Sequence, residues 1–202
     1  MATSVPARLI LLTGPPGVGK TTLVQKACTA LKETNTPVQG FYTEEVRSGG
    51  RRIGFDVVTL CGNRGPLARV DGSDGSGPQQ REHKVGQYSV KLNAFEQTAL
   101  PVLRIPASSS TAPPVIVVDE VGKMEMFSTT FVQMVRSLVS RGNTTVLATI
   151  PIPKGRPIPL VEELRSHKDA HVFEISKSNR DSLLQEIVSA VQLSRKTYSC
   201  QR

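Results

Sequence analysis

A chain of 202 residues can hold one domain with its own hydrophobic core and would be crowded as two. Lysine and arginine number 25 against 17 acidic residues, a net charge of +8, and this surplus favours anionic partners such as nucleotides, nucleic acid or acidic membrane surfaces. No apolar run reaches the roughly 18 residues of a membrane span or has the form of a signal sequence, and Cys28, Cys61 and Cys200 sit outside the paired spacings of zinc and redox sites, so a soluble protein of a reducing compartment, cytoplasmic or nuclear, with no membrane partner is expected.

The first element, Arg8 to Thr13 ("RLILLT"), is short, continuously apolar and ends at glycine, as a strand buried on both faces does. From Lys20 to Thr34, Leu23, Val24, Ala27, Ala30 and Leu31 recur at helical spacing. Between the two, Gly14, Gly19, Lys20 and Thr21 satisfy G-x-x-x-x-G-K-[ST] in the one context that gives the pattern meaning, after a buried strand and opening a helix. Glycines there let successive backbone N–H groups curl around a phosphate, and the helix N-terminus adds partial positive charge. Lys20, expected on the solvent side, reaches the β- and γ-phosphates, and Thr21 ligates Mg²⁺. A nucleoside triphosphate is thus expected over Gly14, Pro15, Pro16, Gly17, Val18, Gly19, Lys20, Thr21 and Thr22.

"VQGFYTEEVRSGGRRIGFDVVTL", Val38 to Leu60, reads as two β segments around Ser48-Gly49-Gly50, a hairpin signal. Strand parity places Ile53, Phe55 and Val57 on one face and Arg52 with Asp56 on the other, leaving Arg52 free to reach a ligand or to pair with Asp56. Asp71 to Gln80 reads as a flexible loop, Val85 to Leu92 as one further strand, Asn93 to Leu103 as a helix, and residues 106–114 as a second loose segment. Thereafter strands at Val115–Glu120, Thr144–Ile150 and Ala170–Ser176 alternate with helices at Met126–Ser140, Leu160–His167 and Asn179–Ser194, with a proline-stiffened loop at Pro151–Pro159 and a loose tail over 195–202. Such alternation implies an α/β domain spanning 1–202, whose mainly parallel sheet carries helices on both faces and right-handed crossovers. The hairpin-rich stretch from Val38 to Leu92 is expected as an antiparallel addition at one sheet edge.

At the end of "VIVVDE", Asp119 and Glu120 fall where open parallel sheets bind ligands. Asp119 is placed to hold Mg²⁺ through water and Glu120 to polarise an attacking water, a task that hydrolysis requires. Lys20 and Glu120 are therefore the expected catalytic residues. Thr149, ending the next strand, is either a sensor of the γ-phosphate or ordinary strand filling. His83, His167 and His171 are not expected to bind a metal, because the only close pair straddles a helix end and a strand start.

With these motifs, "LTGPPGVGKTTLVQKA", "GFYTEEVRSGGRRIGFDVVTL", "VVDEVGKMEMFS", "ATIPIPKGRPIPLVEEL" and "NRDSLL", the chain resembles the thermostable nucleoside-triphosphatase family from about Arg8 to about Ser194. The resemblance implies a P-loop fold and Mg²⁺-dependent hydrolysis of ATP, GTP, CTP, UTP and TTP to diphosphates, with weaker action on diphosphates. It places binding segments at Gly14 through Thr21 and at Val115, Ile116, Val117, Val118, Asp119, Glu120, Val121 and Gly122. Both loose loops and the tail lie outside it.

Base tolerance also has a physical side: where phosphates and Mg²⁺ supply most of the binding, the base discriminates little. No guanine-reading Asn-Lys-x-Asp stretch is present. Two rivals stay open, a small-molecule or nucleotide kinase and a nucleic-acid-associated ATPase; against the second, aromatic content is 4% and no basic stripe carries interleaved aromatics. A monomer is expected. For the charge left when the γ-phosphoryl group departs, P-loop enzymes often use an arginine; Arg47 or Arg52, on a hairpin folding over the nucleotide as a lid, is the expected phosphate clamp, with Arg51, Arg156 and Arg180 as the other candidates.

Overall fold

The computed structural model describes residues 7–70, 83–105 and 113–199 of the chain. The buried apolar run forms β1 (Leu9–Thr13), and Leu23, Val24, Ala27 and Leu31 give α1 (Lys20–Glu33) a single inward stripe. The β2–β3 hairpin (Val38–Ser48 and Arg51–Thr59) turns at Gly49-Gly50. Next come β4 (Arg64–Val70), β5 (Lys84–Val85), β6 (Tyr88–Val90) and α2 (Leu92–Ala99). The chain closes with β7 (Val115–Val118), α3 (Thr129–Ser140), β8 (Val146–Ile150), α4 (Pro159–Arg165), β9 (Ala170–Glu174) and α5 (Leu184–Ser199).

Among the described residues nine strands make one sheet in the order β5-β6-β4-β3-β2-β7-β8-β1-β9. From β2 through β9 the neighbours run parallel, and from β2 outward through β5 they run antiparallel. Side-chain alternation divides the core. Ile10, Leu12, Val115, Val117 and Leu147 face α1 and α5, where Leu31, Ile187 and Val191 meet them. Leu9, Leu11, Ile116, Val118 and Ala148 face Phe95 of α2, Phe131 of α3 and Leu164 of α4. This is the expected α/β arrangement, with helices on both faces and an antiparallel extension at one edge.

Four local readings are corrected. Val85 to Leu92 is not one strand: Gly86, at φ 59°, takes the left-handed conformation that reverses the chain between β5 and β6. The strand β4 was not anticipated because Pro66 interrupts it, and the register shifts beside that proline, between Phe55 and Asp56 of β3. The helix expected to reach Leu103 ends at Ala99, and a single 3₁₀ turn follows at Pro101–Leu103. The closing helix continues to Ser199, into part of the stretch read as a loose tail. The expected loop Asp71–Gln80, and 106–112 of the second loop, lie outside the described residues. No described helix is long and apolar enough to cross a membrane.

Two features position the functional end. Pairing between β2 and β7 covers only Val38–Phe41, so residues 42–48 of the hairpin project past the carboxyl end of β7. At that same end β1, β7 and β8 run out together at Thr13, Val118 and Ile150.

Candidate active site

The loop from Gly14 to Gly19 is pressed between β9 and α1. Ile175 N–H donates to Thr13 O at 2.7 Å, and a Cβ on Gly14 would lie 2.4 Å from Ile175 O, so only glycine fits. Gly19 opens α1 at φ 107° and no side chain caps the helix. The first-turn N–H groups, which side chains usually satisfy, are thereby left for an anion. Pro15, Pro16, Gly17 and Thr22 are exposed, Thr21 half-buried, and Val18 anchors the loop in the core.

Lys20 is not on the solvent side. Its side chain is 9% exposed, and Nζ folds back to donate to Gly14 O at 3.0 Å while standing 3.7 Å from Glu120 Oε2. The reason is that α1 begins at Lys20, so its side chain points back over the loop toward the strand ends.

Side-chain parity in β7 sends Val115 and Val117 to the α1 face, and Asp119 continues that face toward the loop. Val115, Ile116, Val117 and Val118 are fully buried in the two cores, so this half of the expected binding segment carries the acids without offering surface to a nucleotide. Asp119 N–H donates to Phe41 O at 3.2 Å and Val121 N–H to Thr149 O at 2.9 Å, which pins the Asp119–Val121 turn between β2 and β8. The Asp119–Glu120 peptide is cis.

Asp119 is 1% exposed. The Thr149 hydroxyl donates to its Oδ1, so the neighbouring strand places that hydroxyl on the carboxylate. Asp119 Oδ2 has no hydrogen-bond partner among the described residues, and neither does the buried Thr13 hydroxyl. Burial raises the Asp119 pKa, and the Thr149 and Thr21 hydroxyls, the Lys20 charge and the Thr43 amide pull it back. A buried carboxylate oxygen left unpaired beside the Thr21 hydroxyl offers the oxygen donors that suit a hard divalent cation such as Mg²⁺. Glu120, its side chain 32% exposed, also has a raised pKa, through burial first, with Lys20 opposing and Asp119 adding to the rise.

Strand parity misplaced Arg52. The β2–β3 register steps from Val46↔Gly54 to Arg47↔Arg52, so Ile53 is an extra residue that turns Arg52 onto the Phe55 face. There Arg52 lies 5.1 Å from the Phe55 ring centre and donates to Tyr88 OH and Glu45. Asp56 pairs instead with Arg64 and Arg69. Arg47 is bound to Glu45 and to Gly50 O. Both expected clamp residues are thus engaged by protein groups, Arg47 within the hairpin and Arg52 with Glu45 and with Tyr88 of β6. Arg156 is exposed on the loop after β8. The arginine brought to the phosphate loop is Arg180: its Nη1 donates to Val18 O at 3.1 Å, and a Cβ on Gly19 would lie 3.7 Å from its Cδ.

Sequence reasoning passed over Glu125. It opens the 3₁₀ turn Glu125–Phe127 before α3, is 4% exposed, and accepts from Gly122 N–H at 3.1 Å. An acid set among Met124, Met126 and Phe127, six residues after Asp119, was the signal available. Among the described residues no cluster of three histidine, cysteine or acidic side chains could hold a metal alone, and Cys28 and Cys61 are free.

A family model described as NTPase matches residues 9–188. The cancer-related nucleoside-triphosphatase homolog of Bos taurus is 60% identical over 94% of this chain and 100% of that protein. Nucleoside-triphosphatase THEP1 of Thermotoga maritima is 39% identical over 92% of this chain and 97% of that protein. The solution structure of a human cancer-related nucleoside triphosphatase, 57% identical, superimposes with a TM-score of 0.78 over 94% of this chain and all of that one.

Proposed function

The chain belongs to the NTPase family, and on that premise we propose that it hydrolyses nucleoside 5′-triphosphates (ATP, GTP, CTP, UTP and TTP) to diphosphate and phosphate in a Mg²⁺-dependent reaction. The observation that carries this reading is the meeting of Lys20 and Glu120 at 3.7 Å across the mouth of the loop, with Asp119 buried behind them. One cation, one partly exposed acid and one buried acid are the parts that water attack on a phosphoanhydride needs.

The backbone N–H groups of Gly17, Gly19, Lys20, Thr21 and Thr22 would wrap the phosphates, and Lys20 would exchange Gly14 O for a phosphate oxygen. Thr21 and the unpaired Oδ2 of Asp119 would hold Mg²⁺, which supplies neutralisation of phosphate charge. Glu120 would accept the proton of the attacking water; its raised pKa makes its carboxylate a better base than an exposed glutamate. Arg180, already on the loop, takes the place of Arg47 and Arg52 as the candidate for stabilising charge on the departing phosphate. With binding concentrated on phosphates, bases are accepted broadly. The free thiols suit a reducing compartment, cytoplasm or nucleus.

Phosphate release should be measured on a panel of nucleoside triphosphates, with and without Mg²⁺, RNA and acceptor alcohols. Release on every base, dependent on Mg²⁺ and indifferent to RNA and alcohol, is expected. Transfer to an alcohol would turn the reading to a kinase, and strict dependence on RNA to a nucleic-acid ATPase.

A further inference from the structure

Glu125 is the buried acid that the reaction above does not use. We propose that Glu125 positions the base: through the Gly122 N–H it fixes the turn after Asp119-Glu120, and with it the aim of the Glu120 carboxylate toward Lys20. This rests on the reading of Glu120 as the group that takes the proton from water.

The contact geometry couples the two acids. Glu125 Oε2 accepts from Gly122 N–H at 3.1 Å. A Cβ on Gly122 would lie 2.8 Å from Glu120 Oε1 and 3.1 Å from Glu125 Oε2, so both carboxyl groups rest against one Cα. Glu125 is itself fixed, because Ser128 N–H donates to its carbonyl at 3.0 Å and Ser128 caps α3. The chain from the end of β7 to the start of α3 is thus one braced turn with Glu120 on its open side.

Electrostatics set the form in which Glu125 does this. Burial above all, then repulsion by Glu120 and Asp119, pushes it up to about 8, while its own amide and that of Gly122 pull the other way. The charges facing it are these two acids, with Lys20 beyond Glu120; Lys123 is exposed on the same turn, and His83 stacks on Phe127 at 4.4 Å. Near neutral pH Glu125 is a neutral acid whose carboxyl oxygen holds the turn, and its ionisation places a second negative charge against Glu120. Between pH 4.5 and about 8 the folded chain binds more protons at this side chain than the unfolded chain, so its contribution to stability falls as pH rises through that window.

The test uses the full chain with Glu125→Gln and Glu125→Ala, reading kcat and KM for Mg²⁺-ATP from pH 6 to 10 and melting of the ligand-free proteins over the same range. Glutamine keeps the acceptor oxygen, so kcat should stay within about threefold of the parent at pH 7 and should persist above pH 8, where the parent declines. Alanine frees the turn and should lower kcat about 10²-fold with KM little changed, the size of effect expected for a small misplacement of a reacting group. The melting temperature of the parent should fall relative to Glu125→Gln as pH rises toward 8. An alanine variant with full kcat overturns the proposal, as does a glutamine variant as poor as alanine at pH 7 or one with the parent's pH profile. If alanine does not fold, the glutamine profile decides alone. Failure of the base reading looks different: Glu120→Gln would then turn over like the parent, whatever Glu125 does.

Discussion

At the scale of single residues, the site depends on side chains whose neighbours decide their chemistry. Lys20→Ala removes the one cation 3.7 Å from Glu120 and should abolish phosphate release; because Lys20 is buried and bonded to Gly14 O, unfolding in urea should also show a modest loss of stability, a second effect that a solvent-side lysine would not have. Glu120→Gln should still bind Mg²⁺-ATP but hydrolyse it at least about 10²-fold more slowly, the usual size of a general-base contribution; single-turnover and binding measurements separate the two. Thr149→Val takes the hydroxyl from the Asp119 carboxylate. Groups that orient a metal ligand are commonly worth about 10- to 100-fold in metal affinity, so the Mg²⁺ concentration for half-maximal turnover should rise by about that factor. An unchanged Mg²⁺ requirement would reduce Thr149 to strand filling.

Elements show where sequence reasoning held and where it stopped. The phosphate loop was legible because its glycines, lysine and threonine are local, and the strand before it and helix after it are set by periodicity alone. Asp119 and Glu120 were legible because a buried parallel strand ends at a known side of the sheet. What the sequence concealed was cross-strand: the extra residue Ile53 that turns Arg52 onto Phe55, the strand β4 hidden by Pro66, the Thr149–Asp119 bond between β8 and β7, and the contact of Arg180 with Val18, far apart in the chain. Each depends on which residues a register brings opposite, and one inserted residue reverses every orientation beyond it. The two arginines therefore carry opposite expectations. Arg52→Ala removes a half-exposed ion pair and one hydrogen bond, each contributing about 1 kcal/mol or less, and should lower stability in denaturant while leaving turnover unchanged. Arg180→Ala should leave stability within about 0.5 kcal/mol and lower turnover. The reverse pattern would return the clamp to the hairpin.

Across the whole molecule, chemistry and stability sit at opposite ends of the parallel strands. At the carboxyl end lie polar groups without a hydrogen-bond partner among the described residues, Asp119 Oδ2 and the Thr13 hydroxyl. At the amino end Arg8, 7% exposed, closes the structure: its Nε is 2.8 Å from Asp169 Oδ2, its Nη1 donates to Arg141 O at 2.7 Å, and its backbone carbonyl accepts from Val146 N–H at 2.8 Å. One side chain thereby ties the start of β1 to the end of α3 and the entry to β9. Removing one partner of a buried pair leaves the other charge uncompensated and costs about 3–5 kcal/mol, whereas replacing both with apolar groups of similar volume is often close to neutral. Asp169→Ala should accordingly lower unfolding free energy by several kcal/mol, somewhat less than the full amount because the Asp169 side chain is 19% exposed. The pair Arg8→Met with Asp169→Leu should recover most of that loss. Turnover of whatever remains folded should be unchanged in both, because no part of this brace reaches the loop. Urea unfolding and phosphate release on the same samples decide it: a loss below about 1 kcal/mol for Asp169→Ala would make the pair an ordinary surface bridge, and a fall in kcat without loss of stability would mean that the two ends of the sheet are coupled.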